Sequence, residues 1–583
     1  MLTSARRTAA CFTALVACAV GARQARAQSW TTLVSATSSG AAGDAGSRFA
    51  SLSADGSWCA FSSAADDLVA GDTNLAEDVF VRARGAPNAE RASVANGGGE
   101  ADGASFFPAL SADGRTVAFQ SYASNLVLGD TNGRVDCFVR DRLTGLTERV
   151  SVSSSGAQGT HPPSFLQPFE RLQALSGDGR FVVFVSLHGD LVPGDTNATY
   201  DIFVRDRALQ TTERVNLGAG GVQANAMSWQ PSISADGRFV AFASGASNLV
   251  AGDANNASDV FVVNRLSGAL ELISVALGGG VGQLGAGRPA LSDDGRFVAF
   301  VGLSGDYVAF DTNGADDAFV RDRLAGVTER VSIETGGAES LGPSSAVALS
   351  ADGRFALFTC VSDLLAPGDA DQRYDVFLRD RLARTTTLVS LDEFDANRAI
   401  HAEYGDLSAD ASVAAFHAIG PYVAADANFD YDVFARDLVQ HGPSSYCAAL
   451  PSANGCVARC FASGDASLSS PAPLRIDLHS AANHKSAAFF YGLGRASAPY
   501  LGGLICVAPP LRRTPLVSTA GSPPPLSDCS GAASYDLEAR IAAGVDPALV
   551  VGAELFVQWF VRDPQGSLGS ASFSDALFLR LVP

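Results

Sequence analysis

Two carboxylates and a third oxygen donor recur seven times along the chain as Asp-x-Asn/Asp-x-x-x-Asp. The copies are Asp72/Asn74/Asp78, Asp130/Asn132/Asp136, Asp195/Asn197/Asp201, Asp253/Asn255/Asp259, Asp311/Asn313/Asp317, Asp369/Asp371/Asp375 and Asp426/Asn428/Asp432. Oxygen donors at the first, third and seventh positions of a loop suit a hard cation such as Ca²⁺. The same residues also close turns, because Asp and Asn side chains bond to nearby backbone N–H groups and can cap the strand that follows. Most copies lack an acid at the fifth position and a closing bidentate Glu. The turn reading is therefore preferred, with calcium as its alternative and no other cofactor expected.

Other chemistry is sparse. Neither Gly-x-Ser-x-Gly nor His-Glu-x-x-His occurs, which counts against a propeller-bearing serine peptidase and a zinc peptidase. The seven histidines are isolated, and His161, His188, His401 and His417 read as loop or core residues. Arg-Asp-Arg recurs, as at Arg140-Asp141-Arg142 and Arg321-Asp322-Arg323; it reads as a ladder of ion pairs between repeats, with a polar binding ring as the alternative. No catalytic residue is assigned.

Lys plus Arg number 41 against 61 Asp plus Glu, for a net charge of −20. That balance repels phosphate backbones and anionic headgroups, so nucleic acid and membrane surfaces are poor candidate partners. Arg6 and Arg7, an apolar run from Ala9 to Ala22 and Ala25-Arg26-Ala27 have the order of a secretory signal over residues 1–27. A secreted, periplasmic or cell-surface protein follows, with a lipoprotein anchored through Cys18 as the alternative. No later segment reaches the length of a membrane span. Export makes disulfides expected among Cys447, Cys456, Cys460, Cys506 and Cys529, whereas Cys59, Cys137 and Cys360 stand at apolar strand positions and read as core.

The elements that must position the loops come from a repeat. Leu-Ser-x-Asp-Gly-Arg-x-Val-Ala-Phe returns with its Asp at Asp55, Asp113, Asp178, Asp236, Asp294, Asp352 and Asp410; the spacing is 58 residues throughout except for one interval of 65. Each unit holds short β-branched and aromatic runs separated by Asp, Gly and Asn, as in Phe239-Val240-Ala241-Phe242 and Asp259-Val260-Phe261-Val262. Four such strands form one propeller blade. The segment Thr31-Thr32-Leu33-Val34-Ser35 matches Thr386-Thr387-Leu388-Val389-Ser390, yet no unit precedes it, and the seventh unit lacks a fourth strand. The spare strand is expected to complete the last blade, which removes the open sheet edges of a linear array.

These units resemble the WD40-like repeat of TolB-type propeller proteins at Ser234-Ala235-Asp236-Gly237, Val240-Ala241-Phe242 and Asp259-Val260-Phe261. The resemblance covers about residues 29–440 and implies an all-β propeller. TolB itself has six blades behind an α/β domain, so its role in the cell envelope does not carry over. The tail resembles a Cys-bearing module of secreted bacterial surface proteins.

The expectation is an all-β chain: a signal peptide over 1–27, a seven-bladed β-propeller over 28–440 closed by its N-terminal strand, and a small β-sandwich over 445–583. The expected function is a monomeric, non-catalytic scaffold that binds a protein or glycan on one face of the ring. The alternative is a carbohydrate-active lyase or glycosidase, which would need two carboxylates projecting into the channel about 5 to 9.5 Å apart. A channel lined by repeated small residues would favour the scaffold.

Overall fold

A computed structural model of the chain describes residues 31–160, 173–303, 305–366, 369, 372–392, 401–420 and 422–438, together with the strands of a C-terminal unit. The leader, Cys18 and His161 lie outside these residues. The chain divides into two compact units at Asp437/Leu438. Among the described residues, no helix is long and apolar enough to cross a membrane.

The first unit is a seven-bladed β-propeller. Each blade is a four-stranded antiparallel meander whose strands are lettered a to d from the channel outward; blade 5, for example, is Ala286–Leu291, Phe297–Gly302, Asp317–Asp322 and Val327–Arg330. Blade 7 takes strands a to c from Ala402–Leu407, Val413–Ile419 and Tyr431–Asp437, and strand d from Thr31–Leu33. The seam is in register, with Thr31 opposite Arg436 and Leu33 opposite Phe434. The N-terminal strand closes the ring.

Strands b and c are buried on both faces because a neighbouring blade packs on each side. They therefore read as continuous apolar runs rather than as alternating ones. One Phe from each faces its partner across the ladder, as in Phe242 and Phe261 at 5.8 Å and Phe300 and Phe319 at 5.4 Å between ring centroids. The core lies between blades: Ala60, Val79 and Val81 of blade 1 pack with Phe119 and Phe138 of blade 2. Cys59, Cys137 and Cys360 are free and buried in these layers, where burial pushes the Cys59 and Cys360 thiols up to about 12.

The repeated Ser-x-Asp-Gly forms the a–b turn. In blade 5 Ser292 Oγ donates to Asp294 at 2.7 Å and accepts from Phe297 N at 2.9 Å. Gly295 has φ +68°, and a Cβ there would lie 2.5 Å from Phe239 Cδ2 of blade 4, so the turn needs glycine both for its backbone and for its contact with the neighbouring blade.

Arg-Asp-Arg forms the ladder between blades. The third residue reaches back one blade, Arg142 to Glu90 at 3.0 Å, Arg323 to Glu271 at 2.8 Å and Arg381 to Glu329 at 2.6 Å, and Arg265 of Val263-Asn264-Arg265 does the same to Glu213 at 2.7 Å. Arg84 to Asp437, at 2.7 Å, joins blade 1 to blade 7.

The second unit contains a six-stranded sheet, which includes Ser486–Gly492, Glu554–Arg562 and Ala571–Arg580, and a three-stranded sheet of Arg459–Ser463, Arg475–Ala481 and Gly531–Asp536. Arg459–Ser463 lies against Ala571–Arg580 of the larger sheet. The expected disulfides fall on side chains outside the described residues.

Candidate functional site

In six blades strand a breaks register ahead of its Leu or Ile. The shifts fall between Arg48 and Ser51, Phe106 and Ala109, Trp229 and Ser232, Gly287 and Ala290, Ser344 and Ala346, and Glu403 and Asp406. A bulge inserts a residue and re-aims its side chain, and bulges concentrate beside functional sites. At five of these bulges a non-glycine residue holds left-handed backbone: Phe49 (φ 58°), Phe107 (53°), Gln230 (52°), Arg288 (54°) and Tyr404 (47°). Such a conformation costs of order 1–3 kcal/mol per residue and persists where the surroundings enforce it.

All five line one open cavity in the channel, with a volume of about 250 Å³. One side is aromatic. The Phe49 ring is 4.4 Å from Phe107 and 5.7 Å from Tyr404. Tyr404 stacks on His417 at 5.4 Å, and His417 meets Tyr431 edge-on at the same distance. The Arg288 guanidinium stands 5.7 Å over the Tyr404 ring. Gln230 accepts from Arg288 N at 2.7 Å and so couples neighbouring bulges. Asp406 is the one carboxylate among the described lining residues, and its Oδ2 accepts from Leu52 N at 2.8 Å. The lining thus combines small residues from several blades, among them Ala50, Ala174, Ser232 and Ala290, with the larger bulge residues, and its described residues hold a single carboxylate rather than a close pair.

His417 is buried, and Phe49 N donates to its Nδ1 at 3.4 Å. Burial, with Arg48 and His401 nearby, lowers its pKa to about 3, so the ring is neutral. His401 instead pairs with Glu403 at 2.7 Å.

The acidic loops lie away from this lining, at the start of strand c in each blade. The Asn closes an Asx turn: Asn74 Oδ1 accepts from Ala76 N at 2.9 Å, Asn132 from Arg134 N at 3.0 Å, and Asn197 from Thr199 N at 3.4 Å. Asn255 and Asn313 accept likewise from Ala257 and Ala315, at 2.9 and 2.8 Å. The last Asp accepts from the Ser or Asn that follows strand d, as in Ser151 to Asp136 at 2.5 Å, Asn216 to Asp201 at 2.5 Å and Ser274 to Asp259 at 2.6 Å.

In four blades the first and last Asp straddle an arginine from the end of strand d. Arg91 reaches Asp72 at 2.8 Å and Asp78 at 3.3 Å; Arg149 reaches Asp130 at 3.0 Å and Asp136 at 3.4 Å. Arg214 reaches Asp195 at 2.6 Å and Asp201 at 3.2 Å; Arg330 reaches Asp311 at 3.2 Å and Asp317 at 3.3 Å. A guanidinium therefore occupies the place that the calcium reading of those twelve residues would give to an ion. Burial still raises Asp72 to about 6, the positive neighbour notwithstanding. Among the described residues, no three His, Cys, Asp or Glu side chains converge on a common point where a metal would sit.

The topology places the first unit among seven-bladed β-propellers. No protein-family model matches the chain, and no curated protein does. Similar solved structures include an oligogalacturonate lyase in complex with manganese, at 14% identity over 70% of this chain and 95% of that one, with TM-score 0.42. An acylaminoacyl peptidase of Pyrococcus horikoshii shares 10% over 75% and 59%, with TM-score 0.41. A TolB protein of Agrobacterium tumefaciens shares 14% over 58% and 91%, with TM-score 0.32.

Sequence reasoning missed the channel residues. Their signal was a position three residues before the repeated Leu or Ile, where an otherwise regular repeat places Phe49, Phe107, Gln230, Arg288, Ala346 and Tyr404.

Proposed function

We propose that the chain is a non-catalytic propeller scaffold that binds a protein or glycan partner at the ring of strand-a bulges. One observation carries this reading. Where the scaffold residues of every blade repeat, the bulge residues differ in size and charge, and five of them hold costly left-handed backbone that directs them to the channel. The aromatic rings of Phe49 and Tyr404, with the amide of Gln230 and the Arg288 guanidinium that stands over Tyr404, suit contact with a ring and hydrogen bonding to a polar or anionic group. The test is a panel of cell-wall glycans and envelope proteins, with binding and bond cleavage read in parallel. Capture by the wild type that is lost in Tyr404→Ala supports the reading; cleavage of any panel member by the wild type overturns it.

A further inference from the structure

Blades 4, 6 and 7 keep the acidic pair and lack its arginine, blade 6 setting Leu388 opposite Phe377 at the arginine's rung. The register is unambiguous: Arg91, Arg149, Arg214 and Arg330 face Phe80, Phe138, Phe203 and Phe319 across the c–d ladder, and at the same rung Phe261 faces Leu272 and Phe434 faces Leu33. A second residue changes with the first. Nine positions beyond each arginine stands an acid or amide that receives it: Glu100 at 2.9 Å, Gln158 at 2.7 Å, Gln223 at 3.1 Å and Glu339 at 2.9 Å. Nine positions beyond Leu272 and Leu33 stand Val281 and Ala42. Both halves of the Arg–Glu/Gln pair are gone, and both carboxylates remain.

The consequence is sharpest in blade 7. Asp426 and Asp432 are 3% and 0% exposed, and both oxygens of Asp426 and Oδ2 of Asp432 lack a hydrogen-bond partner. Only Asp432 Oδ1 is held, by Ser35 Oγ at 2.6 Å. Asn428 donates to Gly43 O at 2.8 Å, as Asn74 does to Ala101 O at 3.0 Å in blade 1. The Asn428 backbone, the Asp432 side chain and the Tyr422 backbone lie close enough to favour the charged form of Asp426, without offsetting its burial. In blade 4 Asp253, 9% exposed, has Oδ1 without a partner beside the fully buried Asp259. A buried carboxylate with no counter-charge costs several kcal/mol, which a proton or a cation removes.

We propose that Asp426 and Asp432 bind a hard divalent cation, calcium by the chemistry of its oxygen donors, where a guanidinium sits in blades 1, 2, 3 and 5, and that Asp253 and Asp259 form a second such site. The blade 7 site lies on the closure seam. Ser35 and Gly43 come from the N-terminal segment, and Asp426, Asn428 and Asp432 from the last blade, so the ion ties the two ends of the ring together. The neighbouring side chains and backbone carbonyls, with water, complete the oxygen shell that calcium requires.

The experiment uses the full-length chain. Calcium binding is followed by titration calorimetry, and melting is followed in millimolar calcium and in a chelator. The wild type is expected to bind calcium and to melt higher with it. Leu33→Arg with Ala42→Glu, which rebuilds the blade 1 arrangement in blade 7, is expected to lose one equivalent of calcium and to melt in chelator at least as high as the wild type. Leu272→Arg with Val281→Glu is expected to remove the blade 4 equivalent, and Arg91→Leu with Glu100→Ala to add one in blade 1. A wild type whose melting ignores both calcium and chelator would mean that the pair holds a proton, and would overturn the proposal. So would full calcium binding by a variant carrying both arginine grafts.

Discussion

Gly295→Ala should destabilise the propeller far more than the same change at Gly268. Both glycines hold left-handed backbone, with φ +68° and +69°. Moving an L-residue there costs about 1–2 kcal/mol. At Gly268 nothing lies within 4 Å of the added methyl, so that is the whole expected loss. At Gly295 the methyl would meet Phe239 Cδ2 at 2.5 Å, Cγ at 2.8 Å and Cβ at 3.0 Å. The ring cannot move aside freely, because the Arg238 and Arg323 guanidinium groups lie 4.9 and 4.5 Å from its centroid. Forcing a packed aromatic group off its position adds about 1–3 kcal/mol, for a total of roughly 2–5 kcal/mol. Urea unfolding followed by circular dichroism reads both variants against the wild type. Equal midpoint shifts would refute the reasoning, since the packing of each Asp-Gly turn on the preceding blade would then contribute nothing.

Three further outcomes follow from the same geometry. Removing residues 28–36 deletes the strand paired with Tyr431–Asp437 and the Ser35–Asp432 bond, so the truncated chain should melt well below the full one; identical melting would contradict a closed ring. His417 binds a proton near pH 6.5 when unfolded and near 3 when folded, so between those values the unfolded state holds more protons and stability falls as pH falls. At pH 5 the loss is on the order of 2 kcal/mol, and His417→Phe should flatten that part of the stability–pH curve. Arg323 pairs with Glu271, donates to Gly295 O at 2.5 Å and stacks on Phe239; Arg323→Lys keeps the charge and should still cost about 1–2 kcal/mol in urea unfolding, because an ammonium group cannot make all three contacts.

The parts that were legible in the sequence are those enforced in every blade. The 58-residue spacing, the apolar b and c runs and the spare Thr31–Leu33 are consequences of stacking identical sheets in a ring, so they print the same letters each time. The Asx turns were legible for the same reason: a carboxamide two residues before the N–H that it binds is local chemistry. The arginines were not. Arg91 is 19 residues from Asp72, and only the fold of strand d over the loop brings them together, so seven loops that look alike in sequence divide into those filled by a guanidinium and those without one. Phe49, Phe107, Gln230, Arg288 and Tyr404 were obscured by the bulge, which breaks the two-residue alternation that marks a strand's faces. A variable position in a regular repeat carries no periodic signal, and that variability is what suits it to a specific partner.

The account places recognition at the bulges and stability in the repeated scaffold. The most direct measurement is the affinity of a captured partner for two arginine variants of matched fold, Arg288→Ala in the channel and Arg115→Ala in the exposed ion pair with Asp141. The account predicts a loss of about tenfold or more, roughly 1.4 kcal/mol, for Arg288→Ala and no measurable change for Arg115→Ala. Unchanged affinity in Arg288→Ala together with a loss in Arg115→Ala would contradict it.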